Sequence, residues 1–308
     1  MDNKQINKLF IWMQEFAIMA GDIALFYRGK VENKEKQAYD LAGVKQSEQG
    51  RARTDADEII QELFLAELYK RWPDTCINVE ENTNLISLFK TGKHTLKKSF
   101  LTVHLDPIDG TLNYVTGKKE FAVGLAISDA AHTFTHTVIY APMFKKLFFA
   151  SPRGSFIKMG KKITAAIQKK NPSMLIYEKR LLSPQGRHAL GLLGFLFAPP
   201  GSSHHAIINT SLGNASAFLY GGSNPHDGMI PCAFARGLNV LPYTAQGKPI
   251  AGRDLTFTRT NQFFSFNRIP SLCYYSCGKE MRRTMQTILS QKENLHEEYL
   301  SRFMNQKR

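Results

Sequence analysis

The pattern of apolar and polar positions predicts two amphipathic helices at the start of the chain. In residues 5–28, apolar side chains recur at spacings of three and four residues, which is typical of one buried helix face. Thr54 and Asp57 have the spacing of a capping box, so a second helix should begin there and end at Pro73. The polar segment 29–53 between these helices is predicted to be a loop or hairpin.

The middle of the chain is rich in β-branched and apolar runs separated by turn residues, which predicts a sheet. A short strand over 76–79 ends at Glu80, and a second strand over 99–105 should end at Pro107, because proline cannot donate to a sheet ladder. Further strands are predicted at 121–127, 133–140 and 146–150, followed by a hairpin over 154–163.

The rest of the chain alternates between helical and extended patterns, which predicts layered α and β structure. Strands are expected within 171–180 and at 195–197, 239–241 and 255–259. Helices are expected at 184–194, from Gly201 to about Leu219, from Asn224 to about Arg236, and at 278–290. We divide the chain into an N-terminal half (1–165), a C-terminal half (166–290) and a charged tail (291–308).

Composition is ordinary for a soluble globular protein, but the charge is not. The 308 residues include 40 basic and 26 acidic side chains, which gives a net charge of +14. Such a balance favours anionic partners: a phosphorylated substrate, a nucleic acid or an acidic membrane face. The basic residues occur as scattered pairs, and no aromatic-interleaved RNA motif accompanies them, so a nucleic acid is not the favoured partner.

Cysteine usage and hydropathy indicate a cytoplasmic protein that does not enter a membrane. The four cysteines lack the spacing of a zinc site, so we interpret them as free thiols in a reducing compartment. Gln14, Glu15 and Asp22 interrupt the apolar stretch at the N-terminus, which therefore does not resemble a signal peptide. No uninterrupted run of apolar residues is long enough to predict a membrane span.

The candidate chemistry lies in residues 106–113, which follow the predicted central strand. Asp106, Asp109 and the carbonyl of Ile108 would supply hard oxygen ligands, which suit Mg²⁺. If a helix begins after Gly110, the N–H groups of Gly110 and Thr111 could bind an anion. Asp-Pro-x-Asp-Gly is also good turn chemistry, so a plain turn is the alternative interpretation of this segment taken alone.

The full string resembles the signature Asp-Pro-Ile-Asp-Gly-Thr-x-Asn of the inositol monophosphatase family, the lithium-sensitive, Mg²⁺-dependent phosphatases. The resemblance implies an α+β fold, a layered αβαβα sandwich that is usually a homodimer. It also implies hydrolysis of a small phosphorylated sugar, inositol or nucleotide by metal-activated water.

The resemblance extends to three acidic residues outside this string. Glu80 matches the first glutamate of a family Gly-Glu-Glu motif, although Val79 replaces the glycine. Asp57 matches a Thr-x-x-Asp whose aspartate hydrogen-bonds the motif threonine, here Thr111. Asp227 matches the family's second-metal aspartate, although His226 replaces a tryptophan before it. Each of these also has an ordinary interpretation, as a surface carboxylate or a helix cap.

By resemblance, two or three Mg²⁺ ions bind these residues. Glu80, Asp106 and the Ile108 carbonyl would hold one ion, and Asp106, Asp109 and Asp227 a second. Glu80, Thr111 and Asp57 would form the catalytic group that activates water. The residues expected to contact substrate are Gly110, Thr111, Gly201, Ser202 and Tyr220.

Three further points concern substrate and function. By resemblance, Tyr220 stands where the family has a glutamate that binds inositol hydroxyls, so inositol monophosphate is not expected to be the best substrate. The alternative is that the alignment slips by a residue or two at Gly221-Gly222, or that Tyr220 is a core residue. The adjacent His204 and His205 should point to different faces of a helix, which argues against paired zinc binding. The alternative function is that of a family member that binds a partner or an RNA complex, with weak or no phosphatase activity.

Overall fold

The computed structural model describes residues 1–34, 52–81, 83, 85–86, 101–169, 175–177, 181–199, 201–220, 225–244, 246–250, 256–260, 263–268, 273–276 and 278–290. Its helices are α1 (Asn3–Tyr27), α2 (Asp55–Arg71), α3 (Thr111–Val115), α4 (Pro184–Leu192), α5 (Ser203–Ser211), α6 (Pro225–Met229), α7 (Cys232–Arg236) and α8 (Gly278–Ser290). Its strands are β1 (Cys76–Val79), β2 (Thr102–Asp109), β3 (Ala122–Ser128), β4 (Phe134–Ala141), β5 (Lys146–Ser151), β6 (Gly154–Met159), β7 (Lys162–Ala165), β8 (Leu175–Tyr177), β9 (Leu196–Ala198), β10 (Ala217–Tyr220), β11 (Pro242–Thr244), β12 (Thr256–Thr260), β13 (Phe263–Arg268) and β14 (Cys273–Ser276).

Two sheets and three helical layers form the predicted αβαβα sandwich. A nine-stranded sheet has the order β12-β13-β1-β2-β3-β4-β5-β6-β7, and a five-stranded sheet has the order β11-β14-β10-β8-β9. Helices α1 and α2 pack on one face of the larger sheet. Helices α5 and α7 lie between the two sheets, and α4 and α8 cover the outer face of the smaller one. The α+β prediction and the layer order are confirmed.

The first two helices begin and pack as the sequence predicts. Asp57 closes a capping box with Thr54 at the start of α2. Helix α1 is long and apolar enough, by length and composition alone, to cross a membrane. Half of its most apolar window is nevertheless buried inside the fold, where Leu9, Met13 and Phe16 line the first core cluster. Helix α1 therefore packs as a core helix of this domain.

The prediction that the central strand ends at Pro107 is wrong. Strand β2 continues to Asp109, and its register with β3 shifts between Asp106 and Asp109. Such a bulge leaves a residue outside the regular ladder, so a proline that cannot donate is tolerated there. The register shift lies between the candidate metal ligands Asp106 and Asp109.

The prediction of one long helix from Gly201 to Leu219 is also wrong. Helix α5 ends at Ser211, and Gly213 follows with a left-handed φ of 71°, a conformation that ends helices and favours glycine. Residues 217–220 form β10, which pairs with β14 and β8 and is fully buried. Tertiary pairing here decides the structure of a short apolar run.

Other differences concern the C-terminal half. The helix predicted up to Arg236 is divided into α6 and α7, which are separated at Pro231, because proline lacks the N–H that a continuous helix needs. The strand predicted at 239–241 lies at Pro242–Thr244 instead. Strand β13, which pairs with β1, returns the chain to the larger sheet. The division of the chain at residue 165 stays a prediction.

Several predictions fall on residues outside the described part of the chain. These are most of the loop at 29–53, most of the 82–98 segment, the break at Gly221-Gly222 and the tail at 291–308. Cys76 and Cys232 are buried free thiols, as expected. Cys277 and the side chain of Cys273 lie outside the described residues.

Candidate active site

The site is built where β2 leaves the larger sheet and enters α3. Asp106 is fully buried on β2, and Gly110 forms the junction with a left-handed φ of 83°. A Cβ added to Gly110 would lie 2.8 Å from the carbonyl oxygen of Gly201. Only glycine therefore allows this close approach between the β2–α3 junction and the start of α5.

Asp106 lies within a group of carboxylates that come from separate elements. Burial raises the pKa of Asp106 well above its usual value, and the charges of Glu80, Asp109 and Asp227 raise it further. Since charges must be close together to shift a pKa in this way, the structure brings together the four acidic residues that the sequence predicts as metal ligands. Protons or cations must neutralise such a buried group.

Glu80 reaches Asp106 because β1 and β2 are parallel neighbours. Val79 pairs with Leu105, and the backbone N–H of Glu80 donates to the Leu105 carbonyl at 3.2 Å. Glu81 has a different role: its buried carboxylate lies 3.4 Å from Arg53, and its N–H donates to Gln61. The two glutamates are thus distinguished, with only Glu80 placed beside Asp106.

The N-terminus of α5 holds Asp109. The hydroxyl of Ser202 and the N–H groups of Ser203 (3.1 Å) and His204 (2.9 Å) donate to its carboxylate oxygens. The same Ser202 oxygen accepts from the N–H of His205 at 3.1 Å and caps the helix. Ser202 is therefore a buried positioning residue for Asp109, while its predicted contact with substrate, like that of Gly201, stays a prediction.

His204 belongs to the site, although sequence reasoning missed it. Its fully buried ring has Nδ1 3.7 Å from Asp109 Oδ2 and Nε2 3.9 Å from Asp106 Oδ2. These three residues offer one ligand atom each within 4.8 Å of one another. His205 points elsewhere, towards Phe144, as expected for adjacent helical residues. The signal in the sequence was Gly124, since a Cβ there would overlap the His204 ring.

Thr111 and Asp57 make hydrogen bonds that support neighbouring backbone. The hydroxyl of Thr111 donates to the Ile108 carbonyl at 2.8 Å. Asp57 Oδ2 accepts from the N–H (2.8 Å) and hydroxyl (2.6 Å) of Thr54 in the cap of α2. Burial and then the charge of Asp57 raise the pKa of Tyr114, which places Asp57 near α3. A hydrogen bond between Asp57 and Thr111 stays a prediction.

Asp227 enters the site from α6, which the neighbouring residues hold in position. His226 Nε2 lies 2.9 Å from Asn78 Oδ1, so α6 is tied to strand β1. Tyr220 is only 6% exposed and packs against Gly228, where an added Cβ would lie 2.9 Å from the Tyr220 ring. The structure thus places Tyr220 in the core between β10 and α6, and its predicted contact with substrate stays untested.

Comparison with known sequences shows the family. The model of the inositol monophosphatase family matches residues 12–233. A protein named Nus factor SuhB from Xylella fastidiosa is 29% identical over 160 residues, which cover 51% of this chain and 50% of that protein. An inositol monophosphatase from Dictyostelium discoideum is 30% identical over 113 residues, covering 37% of this chain and 39% of that protein. The matched region thus spans half or less of these relatives' lengths.

Comparison with solved structures shows the fold. Staphylococcal inositol monophosphatase-1, soaked in LiCl, superposes with a TM-score of 0.69 at 18% identity, over 94% of this chain and 95% of that one. An IMPase/NADP phosphatase complexed with Mg²⁺ and phosphate gives a TM-score of 0.68 at 18% identity, over 92% and 95% of the two chains. The family model covers more than half of the chain, from residue 12 to residue 233, so the chain belongs to the inositol monophosphatase family.

Proposed function

We propose that this protein is a Mg²⁺-dependent phosphomonoesterase that hydrolyses a small phosphorylated sugar, inositol or nucleotide. One observation carries the proposal: Glu80, Asp109 and Asp227 converge on the buried carboxylate of Asp106. Burying several carboxylates together costs folding free energy, and groups with pKa values perturbed in this way are concentrated at functional sites. Membership of a family of phosphatases supports the same chemistry.

The donor set fits Mg²⁺, because carboxylate and backbone carbonyl oxygens are the hard ligands that this ion prefers. We assign one ion to Glu80, Asp106 and the Ile108 carbonyl, and a second ion to Asp106, Asp109 and Asp227. The site would hold two or three Mg²⁺ ions in all. Bound there, Mg²⁺ would supply the positive charge that polarises the phosphoryl group and favours ionisation of the attacking water.

The residues of the chain bind the phosphate, orient the attacking water and accept its proton. Glu80 orients the attacking water and accepts its proton, while the N–H groups of Gly110 and Thr111 bind the phosphate at the first turn of α3. Thr111 fixes the Ile108 carbonyl through its 2.8 Å hydrogen bond. Asp57 positions this region from the cap of α2. No bond forms between the protein and the phosphoryl group.

We further propose that inositol monophosphate is not the preferred substrate. By resemblance, Tyr220 replaces the family's glutamate that binds inositol hydroxyls, and a phenol offers one neutral acceptor oxygen where a carboxylate offers two charged ones. Losing such charged hydrogen bonds costs about 1.5–3 kcal/mol each. The net charge of +14 favours a substrate with a second phosphate, such as a nucleotide or sugar bisphosphate.

The experiment is to measure phosphate release from inositol 1-phosphate, 3′-phosphoadenosine 5′-phosphate and fructose 1,6-bisphosphate, each with and without Mg²⁺. At least one ester should be hydrolysed only with Mg²⁺, and kcat/KM should be higher for a bisphosphate. Tyr220→Glu should raise kcat/KM for inositol 1-phosphate. If none of the esters is hydrolysed, the phosphatase proposal is contradicted. A preference for inositol 1-phosphate would contradict only the proposal about substrate preference.

Three finer properties belong to the same proposal: inhibition by Li⁺, a homodimer and a cytoplasmic location. The family resemblance of residues 106–113 supports the first two. Li⁺ should lower the Mg²⁺-dependent rate at constant ionic strength, with Na⁺ as the control. Light scattering during gel filtration should give twice the mass of the 34.8 kDa chain.

A second candidate function is binding of a protein or RNA partner with weak or no phosphatase activity. Two curated relatives carry the name Nus factor SuhB, and the chain has a net charge of +14. The four grouped acidic residues favour the enzyme instead. Sub-micromolar, salt-dependent binding to RNA in a gel-shift assay, without measurable phosphatase activity, would favour the second candidate.

A further inference from the structure

The ring of His204 is an unusual member of a carboxylate metal site. It is fully buried, and its Nδ1 lies 3.7 Å from Asp109 Oδ2. This nitrogen has no hydrogen-bond partner within the described part of the chain. A buried polar atom without a partner costs free energy unless a ligand satisfies it.

The other ring nitrogen shows how the imidazole is oriented. Nε2 of His204 lies 3.3 Å from the backbone carbonyl oxygen of His226. A carbonyl oxygen can only accept, so the ring proton belongs on Nε2, which leaves the lone pair on Nδ1. Histidines that bind metals are held in this way, with one nitrogen donating to a carbonyl or carboxylate and the other facing the ion.

The spacing of the three ligand atoms fits a single small cation. Donor atoms that each lie about 2.1 Å from one ion are separated by about 3–4 Å from each other. The distance from Nδ1 of His204 to Asp109 Oδ2, 3.7 Å, falls in this range, and Asp106, Asp109 and His204 each offer one ligand atom within 4.8 Å of one another. Gly124 on β3 leaves the space that the ring occupies, since a Cβ there would overlap it.

We propose that Nδ1 of His204 is a ligand of the divalent cation bound by Asp106 and Asp109. The inference rests on the proposed function, whose metal site it deepens. An imidazole nitrogen suits Mn²⁺ or Zn²⁺ better than Mg²⁺, which prefers oxygen ligands. His204 therefore shifts the metal preference of this site from Mg²⁺ towards transition metals, relative to a site built from oxygen ligands alone.

The test is pulsed electron paramagnetic resonance of the full-length protein loaded with Mn²⁺, which detects coupling to a directly bound nitrogen without requiring turnover. The wild type and the matched control His205→Ala should show this coupling, and His204→Ala should not. His204→Ala should also weaken Mn²⁺ binding by at least about tenfold in calorimetry, with a much smaller effect on Mg²⁺. His204→Gln provides a bulkier second variant that leaves a smaller cavity than His204→Ala.

The results of these experiments distinguish a failure of the His204 proposal from a failure of the proposed function. Mn²⁺ bound without nitrogen coupling in the wild type, or coupling that survives both His204 substitutions, would overturn the proposal. If Asp106→Asn abolishes Mn²⁺ binding in that case, the metal site and the proposed function stand while the role of His204 fails. If neither Mn²⁺ nor Mg²⁺ binds the wild type, both proposals are overturned.

Discussion

Substitution of Ser202 by alanine tests how the site holds Asp109. Ser202 makes two hydrogen bonds in the structure, donating to the Asp109 carboxylate and accepting from the N–H of His205 at the start of α5. Loss of an N-cap costs about 1 kcal/mol. Loss of a hydrogen bond to a charged group costs about 1.5–3 kcal/mol. Asp109 keeps its bonds from the backbone N–H groups of Ser203 and His204, which limits the damage.

We therefore expect Ser202→Ala to lower the free energy of unfolding by about 2–4 kcal/mol. The assay is urea unfolding, followed by circular dichroism, with EDTA present so that metal binding does not contribute. Ser203→Ala is the matched control, because Ser203 reaches Asp109 through its backbone N–H alone. Ser202→Thr should retain most of the stability, since it keeps the hydroxyl. A loss for Ser202→Ala no greater than that for Ser203→Ala would refute the reasoning.

Three further predictions concern packing, catalysis and pH. Gly124→Ala should destabilise the protein by about 1–3 kcal/mol, because the added Cβ overlaps the His204 ring. Adding His204→Ala to this variant should restore part of the lost stability. Additive losses of the two substitutions in urea unfolding would contradict the contact. Asp57→Asn should lower kcat by about 10–100-fold through misplacement of the site, whereas an unchanged kcat would remove Asp57 from the catalytic group. Burial lowers the pKa of His136, so its stabilising contribution is present above about pH 6.5 and is lost as the pH falls through the lowered pKa. Between pH 7.5 and 5.5, His136→Gln should therefore lose less stability than the wild type. An equal loss in both proteins would contradict this role of His136.

The parts of the fold that were predictable from sequence depend on local chemistry. The capping box of Thr54 and Asp57 and the apolar spacing of α1 are local signals, and both helices lie where these signals place them. The eight-residue motif at 106–113 likewise contains both the glycine of the β2–α3 junction and two of the grouped carboxylates. These features need no information about distant residues, which explains why the sequence alone is sufficient for them.

The features that sequence reasoning missed depend on contacts between distant segments. Residues 217–220 form a strand because β14 and β8 lie on either side of them, although the apolar run alone also fits a helix. The bulge at Pro107 depends on pairing with β3. His204 joins the site because the first N–H groups of α5 donate to Asp109 at the end of β2 and because Gly124 of β3 leaves room for its ring. Apart from Gly124 within a predicted strand, no local pattern in the sequence reports such placements.

The most direct test of the central claim is the Mg²⁺-dependent release of phosphate by protein first stripped with EDTA, compared between the wild type, Asp106→Asn and Asp74→Asn. Asp106 is fully buried in the carboxylate group, whereas Asp74 is exposed and is remote in sequence from every predicted ligand but Glu80. The account predicts that added Mg²⁺ restores hydrolysis of at least one phosphomonoester in the wild type and in Asp74→Asn, and that Asp106→Asn stays inactive at every Mg²⁺ concentration. Hydrolysis by Asp106→Asn at a rate near that of the wild type would contradict it.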